Sequence, residues 1–118
     1  MTVGEICKQL GLTLCTNVGA ERQVTGGYCS DLLSDVLANA KPGDLWLTIQ
    51  THINVVAVAS LIGVAGVIMT SGRRPEQATV EKAEKEGVPL ILSGESSFET
   101  AGKLYRLLRG DRNEVLRG

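Results

Sequence analysis

Three short stretches hold the residue types that could do chemistry: Gln50-Thr51-His52, Thr70-Ser71-Gly72-Arg73-Arg74 and Ser93-Gly94-Glu95-Ser96. The middle one is the richest, with two hydroxyls, a glycine and two adjacent guanidinium groups. A loop of this kind feeding a helix can cradle phosphate or carboxylate. The first amides of the helix lack internal acceptors, its dipole favours negative charge, and a guanidinium can bind two oxygens at once. It is not a Walker loop, because no GK[ST] is present. The candidate ligand-binding residues are Thr48, Gln50, Thr51, His52, Thr70, Ser71, Gly72, Arg73, Arg74 and Ser93. The competing reading makes Arg73 and Arg74 solvated surface charges and Ser71 a helix cap.

Catalysis has less to work with. His52 is the single histidine and has no neighbouring Cys-His or Ser-His-Asp set, so a capping or packing role is expected of it. Asp31, Asp35 and Asp44 lack the spacing of metal ligands. No catalytic residue, cofactor or metal site is assigned, and an acyl or phosphoryl transferase is the weaker alternative. Cys7, Cys15 and Cys29 are odd in number and form no CxxC, so they are read as small buried hydrophobes. With no signal peptide recognised at the start of the sequence, a reduced, cytoplasmic setting is expected.

A net charge of -1 and 3% aromatic residues argue against nucleic acid and against an anionic membrane surface as partners. The apolar run from Ile53 to Met69 is shorter than the roughly 20 residues a spanning helix needs, and Asn54, Ser60, Gly63 and Gly66 interrupt it. It reads better as two successive elements.

Those elements organise the chain. Asp44 to Arg74 reads as strand (Leu45–Ile49), helix (His52–Ile62, capped by Thr51) and strand (Val64–Met69), one right-handed crossover unit. Trp46 and Thr48 share one strand face, and Leu45, Leu47 and Ile49 the other. Before this unit come a helix Val3–Leu10 with a Thr2/Glu5 capping box and a Gly11 stop, and a strand Leu12–Val18. Gly26-Gly27 reads as a tight turn or bulge, and the next helix, capped by Ser30 or Asp31, runs to Ala40. After the unit come a helix opened by Pro75 and stopped by Gly87, a strand Leu90–Leu92, and a helix to Arg109 with a Ser96/Glu99 capping box. The alternation predicts an α/β fold: three layers, a mostly parallel sheet, helices on both faces, one domain over 1–110 and a mobile tail at 111–118. In such sheets ligands gather beyond the carboxyl ends of the strands, where all three polar loops would lie.

The helix His52–Ile62 has almost no polar face. A helix apolar all round must be covered on several sides, and a second subunit is the expected cover, giving a two-fold homodimer. The compact alternative hides it under the N-terminal helix.

The segment Glu21-Arg22-Gln23-Val24-Thr25-Gly26-Gly27-Tyr28, followed by Ser30-Asp31-Leu32-Leu33-Ser34-Asp35, resembles the signature of the DRTGG domain family. Here Glu21 stands for the Asp, and Gln23-Val24 separate Arg22 from Thr25. The stretch Trp46 to Asn54 and the Val/Ala-rich helix fit a stand-alone branch of that family. DRTGG domains occur in some phosphate acetyltransferases, beside CBS domains, and as single-domain proteins, with catalytic machinery elsewhere. The resemblance therefore implies a non-catalytic regulatory module that senses a small anionic metabolite, an adenine nucleotide among the candidates. A protein partner, linked to a hydrogenase system, is the alternative it implies. Arg22, Thr25, Gly26, Gly27 and Asp31 are the motif residues. A structural role is expected for them, with Arg22 paired to Asp31 or Asp35.

Overall fold

The computed structural model describes residues 1–110, so the tail expected at 111–118 lies outside the described residues. Ten elements follow one another: α1 (Val3–Leu10), β1 (Thr13–Leu14), β2 (Gly26–Cys29), α2 (Leu33–Asn39), β3 (Asp44–Thr48), α3 (Ile53–Ile62), β4 (Gly66–Met69), α4 (Gln77–Glu86), β5 (Leu90–Leu92) and α5 (Ser97–Arg109). They form a sheet of five strands in the order β1-β5-β4-β3-β2, parallel except for β1.

The layering follows from the connections. From β2 to β5 each strand pairs with the next one in sequence, so α2, α3 and α4 are three successive crossovers in one direction. Crossovers of one hand stepping in one direction place their helices on one face. The core on that face joins Val36, Val55, Val56, Ala59 and Ala83 to Trp46, Val67, Met69 and Leu90. Among the described residues the opposite face carries only α1 and α5, whose Val3, Ile6 and Leu104 pack on Leu45, Leu47, Ile68 and Ile91. The predicted split of β3, with Trp46 on one side and Leu45 and Leu47 on the other, matches these two cores.

Helix ends match the sequence where a glycine or a local cap decides them. Thr2 and Glu5 form the full capping box of α1, and Gly11, Gly63 and Gly87 end α1, α3 and α4 in the left-handed region. Elsewhere tertiary contacts shift the boundaries. His52, not Thr51, caps α3, with Nδ1 accepting from the Asn54 amide at 3.1 Å, while the Thr51 carbonyl accepts from Thr79 Oγ1. Leu32 is the cap residue of α2, in place of Ser30 or Asp31. Pro75 precedes the cap Glu76 instead of opening α4. The long first strand shrinks to Thr13–Leu14, because Thr16 is buried and its hydroxyl takes the Leu90 amide that a ladder would have used.

Two larger expectations change. Gly26 and Gly27 are not a turn: they lie in β2, in register with Asp44 and Leu45. A Cβ on Gly26 would meet Asp44 Oδ1 at 2.9 Å, and one on Gly27 would meet Leu104 Cδ2 at 3.2 Å. Absent side chains thus let β3 and α5 approach this strand. And α3 finds its cover within the chain, between α2 and α4 and over the sheet, with Leu61 left 78% exposed. The N-terminal helix that the compact alternative invoked lies on the other face. Among the described residues, no helix is long and apolar enough to cross a membrane.

Candidate functional site

Because β2 to β5 are parallel, their carboxyl ends share one rim, and the three polar loops do converge there. Strand ends supply three fully or nearly fully buried hydroxyls, Thr48, Thr70 and Ser93. Each is held by the protein itself. Thr48 donates to Asp31 Oδ1 at 2.8 Å, Thr70 Oγ1 lies 2.6 Å from Ser97 Oγ, and Ser93 Oγ lies 2.8 Å from Thr100 Oγ1. Asp31 Oδ1 also accepts from the Ile49 amide at 2.8 Å, and its carbonyl accepts from Gln50 Nε2 at 3.1 Å. Asp31 is therefore a clasp between the ends of β2 and β3.

The expected anion cradle is altered in the same way. Ser71 and Gly72 adopt left-handed backbone, with φ of 62° and 71°. That turn directs the Ser71 amide to the Glu95 carbonyl at 2.7 Å and the Gly72 amide to the Ser93 carbonyl at 3.0 Å. These donors bind neighbouring loops, so they are not available to a ligand. Arg73 and Arg74 remain exposed, and among the described residues neither guanidinium makes a hydrogen bond or ion pair. The physical reason for the sealed rim is topological. Open α/β sheets form a crevice where the strand order reverses, and β2-β3-β4-β5 runs without a reversal.

Arg22 does not reach Asp31 or Asp35. It donates to the Val64 carbonyl at 3.2 Å, at the end of the sheet opposite Asp31, and packs over Gly87. Asp35 instead accepts from Tyr28 at 2.9 Å and from Asn39 at 3.0 Å. Hydrogen bonding by Ser30 and Tyr28 holds its carboxyl below the usual range, and the same bond to Asp35 raises the Tyr28 phenol. Trp46 Nε1 donates to the Ser30 carbonyl at 2.8 Å, tying the end of β2 to the core. Of the cysteines only Cys7 is buried, and burial pushes its thiol up. Cys29 is exposed, contrary to expectation, because β2 is an edge strand.

A groove of about 780 Å³ lies away from the polar loops, between α5 and the edge of the sheet. Its floor is Gly26, Gly27 and Leu47, and its wall is Phe98, Tyr105 and Leu108. The signal in the sequence was the pair Phe98 and Tyr105, which sit off the stripe that buries Thr100 and Leu104.

The DRTGG domain family model matches residues 5–107. The chain belongs to the DRTGG domain family. Among curated proteins none matches the sequence. Among solved structures the fold is similar to the CBS and DRTGG domains of the regulatory region of Clostridium perfringens pyrophosphatase, crystallised with its activator diadenosine tetraphosphate. The TM-score is 0.72 at 18% identity, over 87% of this chain. The chain spans less than half of that structure, 45% of its length, and at this identity the likeness concerns the fold. The motif residues Thr25, Gly26 and Gly27 of this family member line the groove, while its Arg22 and Asp31 stabilise opposite ends of the sheet.

Proposed function

We propose that this DRTGG domain is a non-catalytic regulatory module that acts as a homodimer and senses a small anionic metabolite, an adenine nucleotide being one candidate. One observation carries the reading, namely how the rim side chains are engaged. Asp31, Thr48, Thr70 and Ser93 are tied into intramolecular hydrogen bonds, and His52 caps α3. General acid–base or nucleophilic work needs such groups turned toward a substrate. Among the described residues, Arg73 and Arg74 are unpaired cationic groups of the rim that face solvent, and they are suited to phosphate or carboxylate. The solved regulatory region with its nucleotide activator is consistent with that chemistry.

Thermal-shift titration with ATP, AMP, inorganic phosphate and acetyl phosphate tests the reading. A ligand at about ten times its Kd stabilises by roughly 1.4 kcal/mol, or a few degrees in melting temperature for a domain of this size. The Arg73→Ala/Arg74→Ala variant should keep its own melting temperature and lose that response. No shift with any of the four at millimolar concentration would defeat the proposal. The exposed aromatic wall of the groove favours a second reading, an interaction module for a partner protein. Partner binding that survives loss of both arginines would support it.

A further inference from the structure

We infer that the groove beside α5 is the seat of a second copy of this chain, with the two α5 helices packed antiparallel across a two-fold axis. The inference rests on the homodimer reading above and gives it an interface.

Among the described residues, three helices cover one face of the sheet and two cover the other. The position that no described residue fills on the second face is beside α5, above Gly27 and Leu47 of β2 and β3. It is bounded on one side by α5 and is open on the other, because β2 is the edge of the sheet. The occupant that fits an absent helix position is a helix.

The exposed surface of α5 is complementary to itself. Phe98, Gly102, Tyr105 and Arg109 follow at i, i+4, i+7 and i+11, so they share one helix face. Phe98 is 85% exposed and Tyr105 58% exposed, beside a Gly102 whose missing Cβ would meet nothing within 4 Å. The Arg109 guanidinium stacks on the Tyr105 ring at 4.9 Å from its centroid. Place a second α5 antiparallel and centred between Gly102 and Tyr105. Each Tyr105 then fills the space left by the partner's Gly102, and each Phe98 meets the partner's Arg109. The end charges also agree. Glu99 lies in the first turn, and Arg106 and Arg109 in the last, so the reversed helix brings unlike charges and unlike helix ends together. A parallel arrangement would oppose like charges. A two-fold interface built of aromatic and arginine side chains around a small central residue is the composition that stable contacts favour.

Sedimentation equilibrium of the full chain tests the inference, with Phe98→Ser/Tyr105→Ser, Glu99→Arg and Arg109→Glu as variants. All four positions are exposed and should leave folding intact, which circular dichroism checks. The wild type should dimerise. The double serine variant should weaken the dimer by about thirtyfold or more, as loss of an aromatic anchor does. Glu99→Arg and Arg109→Glu should each weaken self-association, and an equimolar mixture of the two should restore a heterodimer. Weakening in each variant alone, followed by that restoration, marks the antiparallel contact, because a parallel one already opposes like charges in the wild type. A monomeric wild type overturns both this interface and the homodimer reading. A dimer that survives all the variants overturns the α5 interface alone.

Discussion

Replacing Asp31 with alanine isolates the clasp that joins β2 to the rim. One carboxylate oxygen accepts from Thr48 Oγ1 and from the Ile49 amide, both at 2.8 Å. Hydrogen bonds to a charged group contribute about 1.5–3 kcal/mol each, and the low end applies because Asp31 is exposed to solvent. The fully buried Thr48 hydroxyl also loses its acceptor. The total expected loss is about 3 kcal/mol. For a domain of this size that lowers the melting temperature by roughly 8–12 °C. Asp31→Asn keeps an acceptor but no charge and should lose about half as much. Thermal and urea unfolding at neutral pH read both numbers. Combining Asp31→Ala with Arg22→Ala adds a second check. The two side chains stabilise opposite ends of the sheet, so their effects should add to within about 0.5 kcal/mol. A fall of less than about 2 °C for Asp31→Ala would refute the clasp. Strong coupling to Arg22 would restore the pairing expected from the motif.

Two further predictions concern the strand and the pH response. Gly27→Val should destabilise by about 1–3 kcal/mol in denaturant unfolding, because the new side chain pushes Leu104 of α5 out of the core it shares with Leu45 and Leu47; stability unchanged or increased would show that α5 can yield. Asp35 and Glu5 both titrate below their ordinary values, held by hydrogen bonds from Ser30 and Tyr28 and from Thr2 respectively. Their contribution is present above the unfolded carboxylate pKa of about 4 and is lost as pH falls through the depressed folded values. Stability measured from neutral pH downward should therefore be flat until the ordinary carboxylate range and then decline. In Asp35→Asn the decline should be shallower.

The sequence was most legible where one residue decides local geometry. Gly11, Gly63 and Gly87 stop three helices because each takes up positive φ without a Cβ. The Thr2/Glu5 box needs residues only three apart. Of the expected Ser96/Glu99 box only half forms, the Ser96 hydroxyl accepting from the Glu99 amide at 3.1 Å. The two buried strands Asp44–Thr48 and Gly66–Met69 were legible as runs too apolar for either face to meet water. A tight turn or bulge at Gly26-Gly27 does not form, because a glycine pair marks backbone freedom and close approach equally well. Only Asp44 and Leu104, distant in sequence, show which of the two applies.

The same contrast holds for the function. From the amino acids alone came the parallel α/β class, the shared rim and the polar loops that reach it, since these depend on periodicity and on helix starts. Whether that rim is an open site depended on strand order and on partners far along the chain. Asp31 reaches Thr48, Ser97 lies against Thr70, and the Ser71 and Gly72 amides turn to the loop after β5. The groove above β2 that no described residue fills is likewise invisible in one dimension, because an absent neighbour leaves no residue to read. Local rules fix what each segment is; long-range packing decides which polar groups are used up and which surfaces stay open.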